Sequence, residues 1–111
     1  MSEHLPLASL KPVPGLPVDL HLHTHDPATD LVSRKLHESG EWEPFESRLW
    51  LACLGEGDVV LDVGANLGYY TLLGALADVA DLRLFAFEPE SANHALLCAN
   101  LERNDAFRGV E

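Results

Sequence analysis

A chain of 111 residues, 47% of them hydrophobic, has room for one small domain with a modest core, and its composition is not that of a disordered segment. Eighteen acidic side chains against seven basic ones give a formal charge of -11, which excludes non-specific attraction to nucleic acid or to an anionic membrane. No apolar run approaches the ~20 residues of a membrane span, and the N-terminus has neither the basic start nor the apolar core of a signal peptide, so the chain reads as cytoplasmic.

Residues 1–17 carry Pro6, Pro12, Pro14 and Pro17, which remove backbone donors and favour extended conformations, so this segment reads as a tail or an edge-hugging arm. The domain proper is expected over 18–111. From Val18 to His25, Val18, Leu20, Leu22 and Thr24 alternate with Asp19, His21, His23 and His25, the period of a strand with one apolar and one polar face. Asp26-Pro27 suits a helix N-cap and first position, and that helix is expected to reach Glu38 and stop at Ser39-Gly40. Pro44 opens a second helix whose Phe45, Leu49, Trp50, Cys53 and Leu54 recur at helical spacing and predict a buried face, closed by Gly55 and Gly57.

Next comes the most informative stretch, Val59 to Thr71. An apolar run, Val59 to Leu61, ends in Asp62; the backbone turns at Gly64 and Gly68; a helix follows over Tyr69 to Leu76. After a return loop at Asp78 to Asp81, a second apolar run over Arg83 to Phe87 predicts a covered parallel strand, ending in Glu88. Ser91 is placed to cap a further helix reaching Arg103, a turn is expected over 104–109, and Val110-Glu111 opens a third strand. Cys53 and Cys98 fall in helices among apolar neighbours and read as buried free thiols. Strand, helix, strand, helix, strand implies right-handed crossovers, an α/β class and a parallel sheet with helices on both faces.

A dinucleotide-binding turn would read G-x-G-x-x-G, but the second glycine position is Asn66, which argues against a pyrophosphate ligand and for another nucleoside, of which S-adenosylmethionine is the commonest. Asp62-Val63-Gly64-Ala65-Asn66-Leu67-Gly68-Tyr69-Tyr70-Thr71, then Phe87-Glu88-Pro89-Glu90 and Ala99-Asn100-Leu101, resemble the FkbM family of S-adenosylmethionine-dependent methyltransferases. Asp30-Leu31-Val32-Ser33 and Gly40-Glu41-Trp42-Glu43-Pro44 fit the same family, so the resemblance runs from about His25 to the last residue.

That resemblance implies an incomplete Rossmann-like class I fold: the cofactor-binding portion, without the strands that hold the adenine side and shape the acceptor pocket. The expected cofactor-binding residues are Asp62, Gly64, Ala65, Asn66, Gly68, Tyr69, Glu88 and Pro89. Gly64, Ala65 and Gly68 would allow close backbone approach, and N–H groups near Tyr69 would meet the methionine carboxylate. Asp62 would face the ammonium, Glu88 would take both ribose hydroxyls, and Asn66 would add a hydrogen bond or hold the turn. Trp42, Glu43 and Glu46 lie where the family has a pocket wall, although packing and a helix N-terminus account for them as well. The implied reaction is O-methylation of a small-molecule or sugar hydroxyl, and no residue here is nominated as the base. Val59 to Asp62 would be left with one unpaired edge, so marginal stability and self-association are expected.

Two other classes compete. Val18 to His25 also resembles the opening HxH motif of PHP-type phosphoesterases, in which His21 and His23 would hold a metal; with only His37 and His94 downstream, a full ligand set is hard to assemble, and no metal is expected. A non-catalytic remnant or interaction module would instead fold and ignore the cofactor.

Overall fold

In the computed structural model, residues 5–107 and 110–111 are described, and they form β1 (Leu7–Ser9), β2 (His21–His23), α1 (Leu31–Ser39), α2 (Pro44–Cys53), β3 (Val59–Val63), α3 (Tyr69–Leu76), β4 (Arg83–Phe87) and α4 (Ser91–Arg103). Positions 1–4 of the expected arm and 108–109 of the expected turn lie outside the described residues. No helix among the described residues is long and apolar enough to cross a membrane.

Between Pro6 and Pro12 the arm has donors to spare, and it uses them in an antiparallel pair with β2, in register Leu7 with His23, Ala8 with Leu22 and Ser9 with His21. Leu10 N–H donates to Leu20 C=O and Thr24 N–H to Pro6 C=O, each at 3.0 Å, closing both ends of the ladder. The pairing buries Ala8, Leu10, Leu20 and Leu22, and Leu22 is wholly inaccessible. Each such leucine contributes about 1.5–3 kcal/mol relative to an exposed one. The strand is shorter than the expected 18–25, because only three partner residues lie opposite and Val18 remains in solvent. Nor are the histidines all on an outer face: His21 is exposed, whereas α4 covers His23.

The first helix begins later than Asp26. Asp26 instead makes a turn, its carboxylate accepting from Ala28 N–H and its carbonyl from Thr29 and Asp30 N–H. The cap is Asp30, whose Oδ2 accepts from the N–H and the hydroxyl of Ser33 at 2.9 and 2.6 Å. Ser33 thus gives the Asp30 carboxylate two donors, one from its backbone and one from its side chain. Gly40 ends the helix as expected, at φ 69. A similar correction applies to α4, whose cap is Glu90 accepting from Asn93 N–H at 2.8 Å, with Ser91 already inside the helix.

β3 and β4 pair in parallel, Val59 with Arg83 through Val63 with Phe87. Val110 bridges Leu84 in parallel, and the N–H of Glu111 donates to Leu84 C=O at 2.8 Å while its carbonyl accepts from Ala86 N–H at 2.7 Å. The expected third strand therefore begins beside β4. Among the described residues, helices cover only one face of this sheet. On that face Leu84 lies under Gly74 of α3, where an added Cβ would come 3.0 Å from its Cδ2, and Ala86 packs against the core cluster to which α4 contributes Leu97 and Leu101. On the other face Val59, Leu61 and Val63 are 60%, 58% and 76% exposed, with Phe87 beside them at 49%. The two-sided cover expected for the sheet is thus halved.

The expected buried face of α2 is also corrected. Phe45 and Leu49 are exposed, Trp50 is half-buried, and Ser47 is the buried residue of the helix. Helical spacing was present, but the partner surface was not. For the same reason Cys53 is exposed; Cys98 is half-buried, its Sγ lying 3.8 Å from His94 Nδ1.

Candidate functional site

The turn after β3 owes its shape to three residues in the left-handed region: Gly64 at φ 79, Asn66 at φ 56 and Gly68 at φ 100. For L side chains other than Asn and Asp that region is costly, so two glycines and an asparagine suit it. The glycines serve different purposes. A Cβ on Gly64 would meet nothing within 4 Å, so its bare backbone looks onto open space. A Cβ on Gly68 would lie 2.8 Å from Leu97 Cδ1, so Gly68 lets α4 close against the turn rather than admitting a ligand.

Neighbouring strand ends hold this turn. Gly64 and Ala65 N–H both donate to Phe87 C=O, at 2.9 and 3.0 Å. Asn66 N–H donates to Glu88 Oε1 at 2.7 Å, and Glu88 Oε2 accepts from Glu90 N–H at 3.0 Å. Glu88 therefore stands at the carboxyl end of β4, as expected, and braces the turn there. From the other side Asn100, wholly buried on α4, donates to the carbonyls of His23 and Leu67 at 2.9 and 2.8 Å and accepts from His23 N–H at 2.6 Å. This residue fixes α4, β2 and the turn to one another; its signal in the sequence was a polar residue on an otherwise apolar helix face, which buried amides occupy only when paired.

The turn forms one wall of a cavity of about 190 Å³, with Trp42, Glu43, Asp62, Gly64, Asn66 and Tyr70 around it. Of the sequence-predicted residues Ala65 and Tyr69 also line it, whereas Gly68, Glu88 and Pro89 do not. The volume is below the ~300–1,000 Å³ of sites that enclose a whole small molecule, so the cavity has room for only part of one. Beside it, sharing Asp62 and Tyr70, a more open groove of about 390 Å³ runs along α2 past Glu46, Leu49, Trp50 and Cys53.

Acidic and aromatic groups define the electrostatics. Asp62 Oδ2 accepts from Thr71 Oγ1 at 2.6 Å. Burial pushes the Asp62 carboxyl above its ordinary value, a shift that the Thr71 hydrogen bond opposes and the charge of Glu88 reinforces. Tyr70, absent from the expected set, donates its hydroxyl to Glu43 Oε1 at 2.8 Å and meets the rings of Trp50 and Tyr69 edge-on at 5.4 and 5.2 Å. Tyr69 and Ser47 hydroxyls lie 2.7 Å apart, and Ser47 also donates to Trp42 C=O. Burial, followed by Glu43, holds the Tyr70 phenol above the usual range; burial does the same for Tyr69 against the opposing Ser47 contact. The adjacent Tyr69-Tyr70 pair in the first turn after the glycines was the signal for this aromatic wall. No side chain caps α3, whose N-cap is Gly68, so its first-turn N–H groups remain available beside the cavity.

His21, His25 and His37 have partners outside the cavity, whereas the buried Nδ1 of His23 has no hydrogen-bond partner among the described residues. His21 Nδ1 lies 3.1 Å from Ser9 Oγ, His25 Nε2 donates to Asn93 Oδ1 at 2.6 Å, and His37 Nε2 lies 2.8 Å from Thr24 Oγ1. These contacts stitch the hairpin to α1 and α4. Among the described residues no group of three His, Cys, Asp or Glu side chains is arranged to hold a metal ion.

No family model, curated protein or solved structure matches the chain.

Proposed function

We propose that this chain is the cofactor-binding portion of an S-adenosylmethionine-dependent methyltransferase of the FkbM type, acting in the complete enzyme on a hydroxyl of a small molecule or sugar in the cytoplasm. The observation that carries the reading is the juxtaposition of the Gly64–Gly68 turn with Asp62 and Glu88 at the ends of two adjacent parallel strands. Crevices at the carboxyl ends of parallel strands are where nucleoside ligands dock.

The cavity chemistry supports a cationic ligand. Glu43 and Asp62 line it with Trp42 and Tyr70, and no basic side chain does. An ammonium is attracted by the carboxylates, and a sulfonium by the faces of aromatic rings. The bare backbone at Gly64 lets such a ligand approach, and the uncapped first turn of α3 offers donors to its carboxylate. Glu88 keeps lone pairs free after accepting from Asn66 and Glu90, because a carboxylate has about four acceptor sites. In this reading the methyl passes from sulfur to the acceptor oxygen in line, and the enzyme's contribution is orientation.

Calorimetric titration of the chain with S-adenosylhomocysteine tests the reading, alongside Glu88→Ala and a parallel titration with zinc and with manganese. Saturable nucleoside binding that Glu88→Ala weakens is expected. A folded chain with no nucleoside binding would refute the proposal, and stoichiometric metal binding would return the histidine strand to consideration.

A further inference from the structure

Two carboxylates line the cavity beside the glycine turn, and each is held by only one of its oxygens. Tyr70 O–H donates to Glu43 Oε1 at 2.8 Å and Thr71 Oγ1 to Asp62 Oδ2 at 2.6 Å, so consecutive residues of α3 fix the two acids. Among the described residues no donor reaches Glu43 Oε2 or Asp62 Oδ1, and no basic side chain lines the cavity. Two half-buried negative charges with no counter-ion at hand favour a cation.

Glu43 is also where the backbone leaves its preferred range. It adopts φ 43 and ψ 64, a left-handed conformation uncommon for glutamate, although Pro44 next in the chain biases it toward extended backbone. It stands at the N-cap of α2, yet its side chain makes no bond to the free N–H groups of that helix and reaches Tyr70 instead. Buried Ser47 fastens this conformation: its N–H donates to Glu43 C=O at 2.8 Å and its hydroxyl to Trp42 C=O at 2.9 Å. Strain that the surrounding bonds enforce, at a residue lining a cavity, points to a ligand contact.

A count of charges selects the contact. Resting on the cofactor reading above, N–H groups of α3 take the ligand carboxylate and Asp62 its ammonium, so the amino-acid end of a neutral thioether nucleoside is matched without Glu43. A sulfonium adds one positive charge, and Glu43 supplies the remaining negative one. We propose that Glu43 distinguishes the charged methyl donor from the neutral thioether left after transfer, with Tyr70 as the residue that positions it. Transfer breaks the methyl carbon–sulfur bond and leaves its electron pair on sulfur, which erases the charge that Glu43 faces. The spent nucleoside is then held less tightly than the donor that replaces it.

The test is calorimetric titration of the full chain with S-adenosylmethionine, with sinefungin, in which an amine-bearing carbon replaces the sulfonium, and with S-adenosylhomocysteine. Expected for the unaltered chain is about tenfold tighter binding of the two charged ligands than of the thioether. Glu43→Gln keeps the shape and removes the charge, and should bring that ratio to about one. Tyr70→Phe keeps the ring contacts with Trp50 and Tyr69 but frees the carboxylate, and should leave a ratio of about threefold. Glu56→Gln removes the same charge from an exposed loop that does not line the cavity, and should keep the full ratio. A role confined to packing would lower all three affinities together, so an unchanged ratio in Glu43→Gln overturns the inference. So does an unaltered chain with no preference between donor and thioether. A folded chain that binds none of the three ligands refutes the cofactor reading itself, and this inference with it.

Discussion

Asn66 gives its backbone N–H to Glu88 Oε1 at 2.7 Å, so the carboxylate at the end of β4 holds the turn that follows β3. On the proposed reading, the residue expected to take the ribose hydroxyls therefore also shapes the turn that walls the cavity. Glu88→Gln retains one acceptor oxygen for Asn66 and loses the charge, while Glu88→Ala loses both. Expected is a graded loss of S-adenosylhomocysteine affinity, about tenfold for Gln and a further tenfold for Ala, read by calorimetry. Equal affinity for all three would place the ribose elsewhere.

Asp62 is stabilised by Thr71 but lies in an environment that resists its charge. Its folded pKa is raised above the unfolded one, so the folded state binds the proton more tightly, and stability falls as pH rises from the ordinary carboxyl value through the raised one. Above that window the ionised group is a net cost. Asp62→Asn should therefore raise Tm at pH 7, lose that advantage in acid, and weaken nucleoside binding. Thermal unfolding at pH 3 and pH 7, paired with calorimetry, separates the two effects.

Tyr69 and Tyr70 are the chain's two tyrosines, and both are held above the usual phenol range. The absorbance rise of tyrosinate at pH 10 should be smaller in the folded chain than after denaturant is added. Glu43→Gln should bring part of the signal back toward ordinary pH by removing the charge beside Tyr70.

Removing Asn100 would strand His23 N–H and the carbonyls of His23 and Leu67 in the interior. At ~1–3 kcal/mol for each buried group left unpaired, Asn100→Ala should cost about 3 kcal/mol or more in a denaturant titration. Asn100→Asp should be at least as damaging, since it keeps the shape but not the two donors.

Gly64→Ala and Gly68→Ala should fail in different ways. Both place an L side chain at positive φ, costing about 1–2 kcal/mol. At Gly64 the added carbon meets nothing, so the principal loss should be in ligand affinity. At Gly68 it collides with Leu97, so the denaturation midpoint should fall further than for Gly64→Ala.

From the residues alone came the elements whose signals are local. The apolar run into Asp62, the glycines and the Tyr69–Leu76 helix are contiguous, and so are the Arg83–Phe87 strand and the parallel start at Val110. Period and turn chemistry specify such features without reference to anything distant. The starts at Pro44 and Tyr69 were legible, but the caps of α1 and α4 escaped because several polar residues near each start could cap, and only a bond such as Asp30 with Ser33 or Glu90 with Asn93 selects one.

What spacing could not supply was the identity of the surface opposite. The apolar spacing of α2 and of β3 is genuine, yet Phe45, Leu49, Val59, Leu61 and Val63 lie in solvent, because burial depends on a partner and not on the pattern that would suit one. Likewise the pairing of the proline-rich arm with β2, the separate duties of Gly64 and Gly68, and the three bonds of Asn100 join residues remote in the chain. The sequence determined a glycine turn between two acid-terminated strands. Only the tertiary structure decided which groups face the cavity and which brace it from behind, since that depends on long-range hydrogen bonds that no local pattern encodes.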